Sequence, residues 1–431
     1  MRFNFKNTSG IQQADVARVG KRLAKYISRL QEASCDTAYA CPESSLYLPH
    51  HHALRKQVKK MASLLASGRT REVFVVGIGG SNLGTLAVYE AIMPKGIALS
   101  FFDTVYGKHV AEGVDRMKQI FKGHGEVIVN IVSKSGTTNE PVAIGHIMIN
   151  VLKKIRRKDW NRFVVVTTEP GSKLDLWAAA HDIQSLPNPP SVGGRYSVMS
   201  AVGLFPLYLS GVDIDELHKG AREALTQCLN PNPSVNPALQ SATALYYAMK
   251  AGYSMENLFV FNPDLERVGK WYRQLLAESL GKERDTNDVV VHAGIMPIVS
   301  VGSVDLHSTT QLYLGGPRNK FTTFMWLPSA RDIRIPNVDA GFNGLVSEIK
   351  NQTLNQVMEA IYEGTKGSYR RRKLPYAEIV LKEQNEREIG AFLQFKMVQT
   401  MLLGALMKVN AFDQPNVEEY KNITKRLLAR L

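Results

Sequence analysis

Between Val127 and Pro141 the sequence reads VIVNIVSKSGTTNEP: an apolar, β-branched run stops at Val132, and Ser133 to Thr138 then carry four hydroxyls, one lysine and one glycine. A single helix cap needs one hydroxyl, not four. A strand, a small-residue loop and a helix start together turn free backbone N–H groups and the positive end of a helix dipole toward an anion. Phosphate or carboxylate binding is therefore the chemistry this stretch offers, against the plainer reading of an ST-rich turn. A second glycine loop, VVGIGGSNLGTL, follows another strand-like run. Read as a dinucleotide fingerprint from Gly77 and Gly79, it has Asn82 where the third glycine belongs, and Gly84 falls two places late. Asp103 ends the next strand-like run, so that reading is weakened rather than excluded, and no Gly-Lys-Ser/Thr supports a Walker-type loop. Gly80 and Ser81 thus mark a second anion-facing turn.

Acid–base candidates lie elsewhere. In WYRQLLAESLGKE, Glu278 sits among Leu276, Ala277 and Leu280, where partial desolvation would raise a carboxyl toward a useful general-base range. The competing reading is a surface glutamate facing Lys282 at i+4. VDLHSTTQLY places His307 at a strand-to-helix junction, and GGRYS places Arg195 in a tight loop where its fork reaches an oxyanion or a neighbouring carboxylate. His50 to His52 are consecutive, so they cannot all face one ion in a regular element, and no metal site is expected there.

The elements that must hold these groups follow from periodicity. EVFVVGI, ALSFFDTV, EVIVNIV and RFVVVTT are strand-like runs separated by helix-length segments, and a second set covers NLFVFNPD, PIVSVGS and KFTTFMWL. That alternation predicts βαβ units with parallel sheets. SLPNPPSVGGRYS reads as a functional loop and NPNPSVNPALQ as an irregular connection. From Glu383 the pattern is helical, broken at NAFDQPN. The length of 431 residues allows two or three domains, and 44% apolar and 21% charged residues are ordinary for a globular protein. No signal peptide, membrane span or disulfide framework is expected from the N-terminus, the apolar runs and three cysteines, so the cytoplasm is the expected location. The net charge of +14 is gathered in KKIRRK, RRRK and a C-terminal KR, read as solvated helix faces rather than a nucleic-acid surface. That surplus would still steer an anionic substrate.

From about residue 50 onward the chain resembles the glucose-6-phosphate isomerase family, in its compact bacterial form. The resemblance rests on VVGIGGSNLG, SKSGTTNEP, SVGGRYSVMSAVGL, LLAESLGKE, DLHSTTQ and FDQPNVEEYK, in the family's order. It implies two successive sugar-isomerase α/β domains of parallel-sheet αβα type at 51–215 and 216–380, an N-terminal arm at 1–50 and a helical segment at 381–431. It implies aldose–ketose isomerisation of glucose 6-phosphate and fructose 6-phosphate through an enediol, without metal or other cofactor. By the same resemblance Ser133, Ser135, Thr138, Gly80 and Ser81 hold the phosphate, Glu278 transfers the proton, and Arg195 steadies the intermediate. His307 and Lys421 open the ring, and Gln274 and Gln414 contact the sugar. A homodimer is implied, with His307 entering the partner's site. Two departures stand out. Asn416 replaces a usual glycine, which calls for a residue tolerant of left-handed backbone, and Pro190 replaces a small polar or acidic residue. A bifunctional glucose/mannose phosphate isomerase and a phosphosugar-sensing module are the alternatives. The first 45 or so residues carry little of the resemblance.

Overall fold

The structure, a computed structural model, describes residues 1–337, 341 and 345–430. The chain opens with a short strand, β1 (Arg2–Asn4), and then lays down β2 (Thr70–Val76), β3 (Ala98–Phe102), β4 (Glu126–Val132), β5 (Val164–Thr168) and β6 (Gln184–Pro187). The last five pair in the order β3-β2-β4-β5-β6, every pair parallel. All seven residues of β4 are buried, as a central strand covered on both faces requires. After β2 the chain moves outward to β3 and then crosses back to β4 on the other side. That reversal puts a topological switch point between the carboxyl ends of β2 and β4, where open α/β sheets bind ligands. Both anion-facing loops leave the sheet there.

The second half supplies β7 (Met255–Phe261), the hairpin strands β8 (Lys282–Arg284) and β9 (Val290–Ala293), then β10 (Met296–Val301), β11 (Lys320–Trp326) and β12 (Tyr376–Val380). The second sheet runs β1-β12-β11-β7-β10, parallel except for β1. Two parallel αβα layers are therefore present, as the alternation predicts. Two local readings need correction. Ser185 to Pro187, read as loop, belong to β6, where prolines are tolerated because the strand is short and lies at the sheet edge. The stretch Asn230 to Gln240 is irregular only to Asn236, whose side chain caps the helix Pro237–Lys250 by accepting from Leu239 N at 2.8 Å. The N-terminal residues, expected as an arm, complete the second sheet with β1 and add the helix Gln13–Ala33. Its Val16, Val19, Leu23, Ile27 and Leu30 recur at helical spacing and are buried, each worth about 1.5–3 kcal/mol.

The helix Glu386–Met407 packs between the helices Ile214–Cys228, Pro237–Lys250 and Glu266–Leu280. Among the described residues it alone is long and apolar enough to cross a membrane, and 89% of its most apolar window is buried inside the protein. The basic runs KKIRRK and RRRK fall at the ends of the helices Asn139–Arg156 and Leu354–Arg371, where cations complement the helix dipole. His50 to His52 diverge: His51 Nδ1 meets Tyr39 OH at 2.7 Å, while Arg55 donates to His52. Among the described residues no three His, Cys, Asp or Glu side chains gather as a metal site.

Arg55 also donates to Nδ1 of the fully buried His218 at 2.9 Å. Burial and the adjacent guanidinium pull His218 down to about 3. The unfolded chain, with a His near 6.5, binds a proton that the folded chain refuses, so stability is retained above that value and falls as pH drops toward 3. The slope from this residue is about 1.4 kcal/mol per pH unit in that window. Urea unfolding at pH 7 and pH 5 should give a smaller difference for His218→Phe than for the wild type; an equal difference would contradict this role.

Candidate active site

The two anion-facing loops are built as neighbours. Val76 pairs with Ile131, and a Cβ on Gly77 would stand 3.1 Å from the Val132 carbonyl oxygen. Gly79 has φ +60°, a left-handed conformation in which glycine carries no steric cost. A Cβ on Gly80 would meet the Gly194 carbonyl carbon at 2.1 Å and the Arg195 nitrogen at 2.5 Å. Glycine at 80 is thus what lets the turn Gly79–Ser81 press against the turn Gly194–Tyr196, and Ser197 Oγ donates to Gly80 O at 3.3 Å across the join. Ser81, half-buried, closes the turn with its N–H to Ile78 O at 3.2 Å.

In the second loop Ser133 is buried, and its Oγ accepts from Gly136 N at 3.1 Å, so this hydroxyl shapes the turn. Ser135 Oγ lies exposed and meets Thr137 Oγ at 2.7 Å. Thr138 occupies the N-cap of the helix Asn139–Arg156 without spending its side chain on the cap. Lys134 Nζ reaches the Pro190 carbonyl at 2.5 Å, so the departure at Pro190 leaves a backbone acceptor that ties this loop to the segment leading to Arg195. Thr137 is the member of the hydroxyl run that sequence reasoning passes over.

The helix Glu266–Leu280 brings Gln274 and Glu278, one turn apart, to the same edge. A Cβ on Gly79 would be 3.0 Å from Gln274 Nε2, which fixes the helix against the first loop. Gln274 Nε2 donates to Glu278 Oε1 at 2.9 Å, and Arg195 NH1 donates to Glu278 Oε2 at 3.4 Å. Gln274 Oε1 is buried with no protein partner among the described residues. The Glu278 side chain remains 31% accessible, whereas Arg195 is buried. A buried guanidinium is tolerated only when its donors are used. Nε donates to Ser279 Oγ at 2.7 Å, and NH2 to the carbonyls of Ala411 at 2.6 Å and Asp413 at 3.3 Å. Of its five N–H donors, one on NH1 has no protein acceptor among the described residues, beside the carboxylate. The i+4 alternative for Glu278 resolves differently: Lys282 Nζ takes the Glu278 backbone carbonyl at 2.8 Å. Sequence reasoning misses Ser279 and Tyr196, whose hydroxyls lie 3.0 Å apart, although each adjoins a predicted residue.

Among the described residues no hydrogen bond or ion pair joins His307, Lys421 or Gln414 to Arg195 or Glu278 within one chain, although Gln414 directly follows Asp413, whose carbonyl Arg195 holds. His307 follows β10 on an exposed turn ahead of the helix Thr310–Gly315, at the predicted strand-to-helix junction. Lys421 lies on the helix Glu418–Leu428 and pairs with Glu418 at 2.7 Å. Gln414 precedes the short turn Pro415–Val417 that leads into that helix. Asn416 lies within that right-handed turn and has no positive φ, so the left-handed backbone anticipated there is not used; its amide donates to Glu283 at 2.9 Å.

A half-exposed carboxylate held by a glutamine and a buried arginine, next to two hydroxyl- and glycine-lined turns, suits proton abstraction beside a carbonyl on a phosphorylated substrate. The family described as phosphoglucose isomerase matches residues 20–431. A glucose-6-phosphate isomerase from Methanocaldococcus jannaschii is 33% identical over 356 residues, 83% of this chain and 84% of that protein. One from Thermus thermophilus is 32% identical over 385 residues, 89% of each. Among solved structures, a hypothetical protein from Thermus thermophilus has a TM-score of 0.90 at 29% identity, covering 99% of both chains. A glucose-6-phosphate isomerase from Chlamydia trachomatis shares the fold at a TM-score of 0.75 and 18% identity, covering 99% of this chain and 80% of that one. With the match spanning nearly the whole sequence, this chain belongs to the phosphoglucose isomerase family.

Proposed function

We propose that the chain interconverts glucose 6-phosphate and fructose 6-phosphate, an aldose–ketose isomerisation. The observation that carries this reading is the contact of buried Arg195 with Glu278 at the edge where both anion turns emerge. Glu278 takes the proton from C2 of the open-chain aldose and returns it to C1, and Arg195 balances the charge that develops on the enediolate oxygen. Ring opening needs a proton exchanged between the anomeric hydroxyl and the ring oxygen, which is assigned to His307 with Lys421. Gln274 and Gln414 contact the sugar. Gly80, Ser81, Ser133, Ser135 and Thr138 form the phosphate cradle, Ser133 by shaping its turn. We further propose sugar-isomerase units at 51–215 and 216–380, with 1–50 and 381–431 packed on them. The assembly we propose is a cytoplasmic homodimer in which His307 serves the partner's site.

Coupling glucose 6-phosphate formation to a dehydrogenase, with fructose 6-phosphate as substrate, tests the reading. Sustained turnover supports it, and none would overturn it. The cradle has its own signature. Ser135→Ala with Thr138→Ala removes grip on a group that does not react, so KM should rise about tenfold or more with a smaller fall in kcat. Unchanged KM and unchanged inhibition by inorganic phosphate would show that the anion binds elsewhere.

A further inference from the structure

Lys282, the first residue of β8, has no part in the reaction as proposed, yet it is buried one turn beyond Glu278. Its Nζ donates to the Glu278 carbonyl at 2.8 Å and to the Asp413 carbonyl at 2.6 Å, and lies 3.1 Å from Asp413 Oδ1. Asp413 Oδ2 in turn accepts from Asn410 Nδ2 at 2.9 Å. Arg195 NH2 reaches the same Asp413 carbonyl at 3.3 Å and that of Ala411 at 2.6 Å. Two buried cations therefore grip the short segment Ala411 to Asp413, immediately before Gln414. Burying an ammonium costs several kcal/mol, and an apolar side chain would fill such a space more cheaply, so a packing role alone does not account for a lysine here. The helix Glu418–Leu428 that follows buries none of its residues, so its packing does little to hold it against the rest of the chain.

We propose that Lys282 is a positioning residue: it latches the Ala411–Asp413 segment to the end of the helix that bears Glu278, and so sets Gln414 and the Lys421 helix relative to the base. This deepens, and rests on, the isomerase reading. Among the described residues, the charged groups that face the ammonium are Glu278 from the helix before it, Arg195 from the turn Gly194–Tyr196, and Asp413 from the C-terminal segment. Burial, outweighing Asp413, holds Lys282 below the usual lysine range, so the latch loses its charge as pH rises while an arginine in its place would not.

The test compares full-length wild type with Lys282→Met, Lys282→Arg and Asp413→Asn by steady-state kinetics across alkaline pH and by amide hydrogen exchange over residues 409–428. In Lys282→Met, kcat should fall about ten- to a hundredfold, as misplacement of a site's parts does, while inhibition by inorganic phosphate changes little. Exchange in that segment should quicken about tenfold or more with loss of the local hydrogen bonds. Lys282→Arg should recover most of the rate and move the alkaline fall in activity to higher pH. Wild-type kcat and exchange in Lys282→Met would overturn the proposal. If that variant does not fold, Asp413→Asn decides, because its side chain is about half exposed: faster exchange supports the latch, and unchanged exchange with an unmoved alkaline limb overturns it. Should the wild type lack isomerase activity, the function reading fails, and the exchange data still judge the latch.

Discussion

Glu278→Gln is expected to cut kcat for the interconversion at least about a thousandfold, the upper part of the range for losing a positioned general base together with its paired charge. The substitution keeps the shape of the side chain. Its carbonyl still accepts from Gln274, whose Nε2 lies 2.9 Å from Oε1 in the wild type, but an amide carries no charge for Arg195 and takes no proton from C2. Because the turns proposed to hold the phosphate follow β2 and β4 and are not part of this helix, binding should survive. Inorganic phosphate or a six-carbon sugar-acid phosphate should inhibit or bind within about threefold of wild type, since remote binding groups are untouched. A variant retaining more than about a tenth of wild-type kcat would remove Glu278 as the base.

The second large effect concerns assembly. His307 stands exposed, and among the described residues no hydrogen bond or ion pair joins it to Arg195 or Glu278 of its own chain. If it completes the partner's site, Glu278→Gln and His307→Ala homodimers should each be nearly inactive. Unfolded and refolded together, they form heterodimers through the same two-fold interface. In each heterodimer one site receives both defects and the other neither. Random reassortment makes half of the dimers mixed, each with one intact site of two, so activity should recover to roughly a quarter of wild type. Heterodimers verified by two different tags, yet no more active than the parents, would place every catalytic group within one chain.

What the sequence disclosed and what it hid divide along physical lines. β4 and β7 were legible because strands covered on both faces read as unbroken apolar runs. β6 was not, because a four-residue edge strand ending in proline has the composition of a loop. Nor was β1, whose place depends on β12 more than 370 residues away, a pairing no local pattern encodes. In the proposed site, Gly80 and Arg195 were legible as turn residues. What periodicity could not give is that Gly80 must be glycine because Arg195's own backbone lies against it. Ser279, Tyr196 and the carbonyls of Ala411 and Asp413 act by orienting Arg195, and backbone acceptors leave no mark in side-chain chemistry. Lys282 stands at the right spacing but is matched by sequence to the wrong atom: it seeks the helix-end carbonyl of Glu278, one of the acceptors a helix terminus leaves free.

The central claim is that a carboxylate carries a proton between two sugar carbons. The most direct measurement is proton NMR of glucose 6-phosphate incubated with the full-length protein in deuterated water, followed over many turnovers. A proton resting on Glu278 between abstraction and return exchanges with solvent. Fructose 6-phosphate should therefore appear with deuterium accumulating at C1, and at C2 of the recovered aldose, while Glu278→Gln shows neither within the same time. Absence of ketose, or ketose that keeps every original carbon-bound hydrogen after many turnovers, would contradict the account.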